Sequence, residues 1–294
     1  MFHSGINVSA FCKLAALSWQ IIVSLHVTVL VISFLYGITP FLDWLLDPVT
    51  NARIFACSAA VLLALAAAAM TWGDAYMSIR MGARKPSKRE KKTLDDISMV
   101  LGAKYLRKYG KPMPAILWHV LDDNSTNAMA YSLRSIAISR DFLKAARDDG
   151  KDAMQSLVGV AAHELGHLHY RDTFFLLIMS AVSWPLYLAK KVFMCLGFIP
   201  VIGPIISFVL CALIHFSEQA GWFVFSLSNR QEEYRADAFA ASLVGPEGLM
   251  SFFDHVASME VNPGSSGLVD YYTKSHPPTE LRRSRIEQYA GLTA

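Results

Sequence analysis

A mainly α-helical integral membrane protein, with about four membrane-crossing helices and an α+β domain built from the polar segments between them, is the fold class this sequence predicts. Three observations predict it. Of 294 residues, 53% are hydrophobic and only 17% are charged, a thinner charge than soluble domains carry. The apolar residues gather into a few long runs nearly free of charge. The polar segments keep helix and strand periodicities of their own. A net charge of +3, locally placed, is too small for a nucleic-acid footprint. The composition also excludes a disordered chain and a secreted disulfide scaffold. Cys12, Cys57, Cys195 and Cys211 lie in or beside the apolar runs without metal-type spacing, and read as small buried hydrophobes.

The first run, about Leu14–Leu35, contains no Asp, Glu, Lys or Arg and is long enough to cross a bilayer as a helix. Only Lys13 precedes it and no small-residue cleavage site follows, so it reads as a retained anchor rather than a secretory signal. A second run, about Ile54–Trp72, is equally uncharged, and Asp43, Asp47 and Arg53 between the two suit an external turn. Then come Arg80, Arg84, Lys85, Lys88, Arg89, Lys91 and Lys92, with Glu90 the one acid among them. Positive loops stay cytoplasmic, so the N-terminus and the chain after residue 80 are expected to start on that side. The cluster can also rest on anionic head groups.

A third region, about Thr173–Leu227, is too long for one crossing. Pro185, Lys190, Lys191, Pro200, Pro204, His215 and Glu218 interrupt it. A hairpin of helices over 173–199 and 203–227 fits, its lysines snorkelling to the far interface against the positive-inside tendency. Between the runs, 92–109 is patterned as an amphipathic helix with Leu94, Ile97, Leu101, Tyr105 and Leu106 on one side. Ala115–Leu121 and Ser135–Ser139 have strand character. Ala153–Tyr170 and Gln231–Leu243 read as helices. The expected organisation is therefore 1–79, the first helix pair; 80–172, the first half of a polar domain; 173–227, the hairpin; and 228–294, the second half.

His163-Glu164-Leu165-Gly166-His167 stands inside one of these helices. Two His at i and i+4 share a helical face, so both imidazoles can reach one metal ion. Glu164, beside the first, can serve the attacking water without being a ligand. A hydrolytic zinc site needs a third protein ligand. A metzincin would place Gly and His where Tyr170 and Thr173 stand. An intramembrane protease would bury the motif in an apolar run, whereas here Gln155 and His169-Tyr170-Arg171-Asp172 flank it. A gluzincin takes a Glu from a later helix, and Glu233 answers, with Asp237 one turn on to orient a ligand histidine from behind. For the three ligands to meet, both ends of 173–227 must lie on one side of the membrane. That region then crosses twice or not at all.

Taken in order, two N-terminal apolar helices, a basic segment, Asn127-Ala128-Met129-Ala130, His163–His167 with Asp172, a hydrophobic hairpin, Glu233–Asp237 and Ser275-His276-Pro277-Pro278 resemble the HtpX-type membrane zinc metalloproteases, relatives of the CAAX prenyl endopeptidases. The resemblance implies a gluzincin-type protease domain with a small edge-strand sheet at the cytoplasmic face, holding one zinc ion. It places Asn127 and Ala128 beside an edge strand that binds extended substrate by strand addition. It makes His276, aided by Arg282, the donor to the developing oxyanion. It implies membrane-associated or unfolded protein substrates, a role in membrane-protein quality control under stress, and a bacterial inner membrane. Asn229 stands where the family commonly has Ser, and Met129 where an aromatic is usual. The customary Arg-Ile pair is displaced, with Arg282-Arg283 followed by Arg285-Ile286. Two other readings compete: a prenyl-protein endopeptidase, disfavoured by the few membrane helices, and a silent scaffold with structural zinc, which has no use for Glu164.

Overall fold

A computed structural model describes residues 8–36, 48–123, 127–148, 150–259 and 277–293. Its elements in chain order are α1 (Val8–Tyr36), α2 (Pro48–Arg80), β1 (Ala83–Arg84), α3 (Lys88–Tyr109), β2 (Leu117–Leu121), β3 (Ala128–Tyr131), β4 (Ser135–Ser139), α4 (Arg140–Asp148), α5 (Lys151–His169), α6 (Asp172–Met194), a 3-10 turn (Cys195–Phe198), α7 (Gly203–Val244), α8 (Glu247–Met259) and α9 (Thr279–Thr293). Two compact units divide the chain, Met1–Thr71 with Leu177–Ser228 and Trp72–Leu176 with Asn229–Ala294.

The first unit is helical and apolar. Among the described residues, four helical segments are long and apolar enough to cross a membrane: Ser9–Val31, Phe55–Arg80, Asp172–Phe198 and Gly203–Val244. The protein is thus a mainly helical membrane protein with a small mixed sheet. Val27, Leu186, Ala189, Phe193 and Ile214 form the unit's buried cluster. Polar contacts lock its helices where apolar side chains gain little from leaving lipid. Gln20 Nε2 donates to Ser183 Oγ at 2.7 Å, Ser24 Oγ donates to the Val182 carbonyl, and Trp19 Nε1 donates to the Ser217 carbonyl at 2.8 Å. A Cβ at Gly221 would sit 2.7 Å from Gln20 Oε1, so the glycine on α7 leaves room for the Gln20 amide of α1. The cysteines correct their sequence reading. Cys57 and Cys195 are exposed, Cys195 in the 3-10 turn, and Cys12 and Cys211 are half-buried, Cys211 packed against the unit's buried cluster.

The second unit is α+β. Its sheet has the order β1-β2-β4-β3. β2 and β4 run parallel at the centre, and β3 is an antiparallel edge. Every residue of β4 is buried. α3 starts four residues before the periodicity indicated, because Ser87 and Glu90 close a reciprocal capping box that satisfies the first N–H groups. It stops at Gly110, left-handed at φ 65°. Leu94, Ile97, Leu101 and Tyr105 face the core as expected. Leu106 does not; it is 52% exposed, one position off the stripe. Gln231–Leu243 is not a helix of its own. It is the end of α7, which runs unbroken until Gly245 at φ 98°. At roughly 63 Å, α7 is twice the thickness of a hydrocarbon core, and the boundary between the units falls within it at Ser228.

Candidate metal centre

α5 passes through the middle of the second unit, and Ser156, Leu157 and the whole stretch Gly159–His167 are buried. Glycines let it sit that deep. A Cβ on Gly159 would meet the Gly248 carbonyl carbon at 2.8 Å, and one on Gly166 would meet Ala236 Cα at 3.1 Å. The second of these close approaches brings the far end of α7 against the histidine-bearing turn.

Three side chains converge there. One ligand atom from each of His163, His167 and Glu233 lies within 4.8 Å of the others. The two Nε2 atoms are 3.1 Å apart. Each is 3.4 Å from a Glu233 carboxylate oxygen, His163 from Oε2 and His167 from Oε1. The Nδ1 atoms face outward onto other carboxylates: His163 onto Asp237 Oδ1 at 2.8 Å, His167 onto Asp172 Oδ2 at 3.0 Å. A proton held at Nδ1 leaves the Nε2 lone pair for a metal. Two imidazole nitrogens and one carboxylate, buried and converging, are the donor set that suits zinc with one position open.

The electrostatics agree. Burial alone would push His163 down, but Asp237 and Glu233 outweigh it and hold its pKa above the usual value. His167, likewise opposed by burial, is lifted by Asp172, Glu233 and Glu164 to about 10. A pocket that favours positive charge this strongly favours a divalent cation for the same reason.

Glu164 points to the sheet edge, and its Oε2 accepts the Ala130 backbone N–H at 2.6 Å. Asn127 immediately precedes the edge strand, and Ala128 is its first residue. The Asn127 carbonyl accepts from Ser139 N–H at 2.9 Å. By antiparallel alternation, Met129 and Tyr131 also pair with β4, and Ala128 and Ala130 present their backbone groups to the outer edge. His276 lies outside the described residues.

Three contributors lie beyond the three ligands and the base; Asp172 and Arg282 come with the family resemblance, and nothing in the sequence singles out Arg235. Asp172 stands five residues past His167, carried there by a turn in which Arg171 takes a left-handed φ of 60°. The acid directly after the HExxH helix was the available signal. Arg235 reaches Asp172 Oδ1 through Nη2 at 2.5 Å. Arg282 is 9% exposed and grips Asp237 through Nε at 2.8 Å and Nη2 at 2.6 Å. Its Nη1 is 3.4 Å from Glu233. Arg285 instead lies over the Tyr234 ring, 3.7 Å from its centroid, so of the two arginines it is Arg282 that enters the centre.

Comparison with known proteins adds lineage to this geometry. The model of peptidase family M48 matches residues 96–290. A Salinibacter ruber protein described as a protease HtpX homolog is 26% identical over 248 residues, covering 75% of this chain and 83% of its own. An Acidiphilium cryptum protein of the same description is 26% identical over 209 residues, covering 62% and 70%. A crystal structure of S. mikatae Ste24p aligns with a TM-score of 0.48 at 19% identity, covering 87% of this chain and 64% of that one. This chain therefore spans less than two thirds of that structure's length.

Proposed function

The chain belongs to peptidase family M48, and on that premise we propose that it is a zinc-dependent endopeptidase anchored in the membrane, cleaving membrane-associated or misfolded proteins at the cytoplasmic face in membrane-protein quality control. The observation that carries this reading is the convergence of both Nε2 atoms on Glu233, with Glu164 beside them on the sheet edge.

His163, His167 and Glu233 would hold the ion, with Asp237 and Asp172 fixing the imidazoles from behind. Zinc bound there supplies Lewis acidity for the scissile carbonyl and the attacking water. The rest is the work of the chain. Glu164 is the general base: one carboxylate oxygen is held by the Ala130 N–H, and the other takes the proton from water and returns it to the leaving amine. Ala128 and the Ala130 carbonyl offer outward backbone groups to an extended substrate, the Ala130 N–H being committed to Glu164. Free backbone groups at an edge are the physical requirement for reading a peptide without regard to side chains. Arg282 brings a fixed positive charge to within 3.4 Å of Glu233. His276 is proposed from the motif as an oxyanion donor. The cytoplasmic assignment is supported by the exposed Lys85, Lys88, Arg89, Lys91 and Lys92 that follow α2, under the positive-inside rule. The resemblance to HtpX-type proteases supports the inner membrane of a bacterium as its location.

The test is a cleavage assay on detergent-purified protein stripped of metal and then given zinc, with unfolded casein and the chain itself as substrates. Zinc-dependent fragments are expected from the wild type and none from Glu164→Gln, which still binds zinc. Full activity in Glu164→Gln overturns the base. Zinc bound without cleavage by either protein replaces the protease by a scaffold with a structural metal.

A further inference from the structure

Each imidazole of the centre is backed by the same three-part chain. His163 rests on Asp237, and Arg282 grips Asp237. His167 rests on Asp172, and Arg235 grips Asp172. The second chain draws its carboxylate, Asp172, from beyond the HExxH helix, and its arginine, Arg235, from between Glu233 and Asp237. Resting on the metal-centre reading above, we propose that Arg235 is a positioning residue for the metal, acting through Asp172 on His167.

The need for it follows from where Asp172 sits. It opens α6, and a carboxylate at a helix start is drawn to the free N–H groups of its own first turn. Serving His167 requires it to turn the other way. Arg235 supplies the counter-pull with a charge-assisted bond to Oδ1, while Oδ2 faces His167 Nδ1 at 3.0 Å. The guanidinium is itself steered. It lies over the Tyr170 ring at 4.3 Å from the centroid, and Tyr170 packs edge-on against Phe239. Arg235 is two residues from both Glu233 and Asp237 on α7, so it faces away from the ligand side. It reaches the centre only through the length of its side chain. A planar guanidinium can stack on a ring and donate in its plane at once, which an ammonium cannot.

The experiment measures zinc affinity by chelator competition on the full-length chain in detergent, in a Glu164→Gln background that keeps the preparations uncleaved. Arg235→Gln is expected to weaken zinc binding about 10- to 100-fold, the ordinary cost of losing a partner behind a ligand, and Asp172→Asn by a similar factor. Arg235→Lys, which keeps a donor for Asp172, should recover part of the loss. The double variant Asp172→Asn/Arg235→Gln should bind no more weakly than Asp172→Asn alone, because the arginine acts through the aspartate. An Arg235→Gln affinity equal to the parent, a lysine variant no better than glutamine, or full additivity in the double variant each overturns the inference while leaving the metal centre standing. A parent that binds no zinc, or that binds as well after His167→Ala, overturns the metal centre and the inference with it.

Discussion

The backbone N–H of Ala130 donates to Glu164 Oε2 at 2.6 Å, so the sheet edge holds the carboxylate proposed as the base. Ala130 pairs with Ile136 across the ladder, but the alternation set by Asn127 and Ser139 turns its N–H outward. Proline is tolerated in an edge strand where the N–H is not part of the ladder. Ala130→Pro should therefore keep the sheet and the zinc content while lowering peptide cleavage about 10- to 100-fold, the range of a lost charge-assisted hydrogen bond. Unchanged turnover at unchanged zinc content would show that Glu164 needs no holding.

Gly159 and Gly102 both sit inside helices, yet the same substitution should act on them in opposite directions. A Cβ at Gly159 lands 2.8 Å from two backbone atoms of the facing helix α8, and backbone cannot move aside as a side-chain tip can. Gly159→Ala is expected to cost on the order of 1–3 kcal/mol. A Cβ at Gly102 meets nothing within 4 Å, so Gly102→Ala should stabilise α3 by about 0.5–1 kcal/mol through lower chain entropy. Thermal melting of the two variants beside the wild type reads both signs, and two shifts in one direction would refute the packing argument.

Glu90 ties the start of α3 to β1. It accepts from Arg84 Nη2 at 2.8 Å and from the Ser87 N–H at 2.7 Å. Arg84, ahead of the opposing effect of burial, holds the Glu90 carboxyl down at about 2. A folded pKa below the ordinary value of 4.5 means the unfolded chain takes up the proton first. The stabilisation is thus complete above about pH 4.5 and is lost as pH falls toward 2. The melting-temperature gap between wild type and Glu90→Gln should be widest at neutral pH and close between pH 4.5 and 2. A gap that persists unchanged at the acid end contradicts the assignment.

Much of this was legible because it rests on local chemistry. The uncharged runs marked the membrane helices, since length and absence of charge are sufficient for that. His163 and His167 were readable as a pair because i, i+4 spacing is geometry already, Glu233 followed from the need for a third ligand on a later helix, and the structure brings these three together. Harder to see was anything fixed by packing across distance. Nothing local shows that Gln231–Leu243 continues α7, because a polar stretch after an apolar run reads as a new element. Asp172 and Arg235 both stand within the motifs, but their pairing is not legible there, because it depends on the left-handed Arg171 between two helices. Ala130 contributes through its backbone alone, which no residue type announces.

Lys190 and Glu218 meet at 2.7 Å between α6 and α7, both largely sheltered within the apolar unit. The pairing answers the lysines that stood against the positive-inside tendency. Lys190 is neutralised by its neighbour, and Lys191 lies over the Tyr187 ring at 5.4 Å. An ion pair in such surroundings gains little over an apolar pair, whereas a lone charge left behind is costly. Lys190→Met alone should therefore destabilise the detergent-solubilised protein by on the order of 1–3 kcal/mol, and Glu218→Leu alone by a comparable amount. The double variant should recover most of either loss. A double-mutant cycle on thermal unfolding isolates the coupling, which must be favourable and approach the sum of the two single losses. Additive losses would mean that each residue packs independently and that the pair does not clamp the two helices.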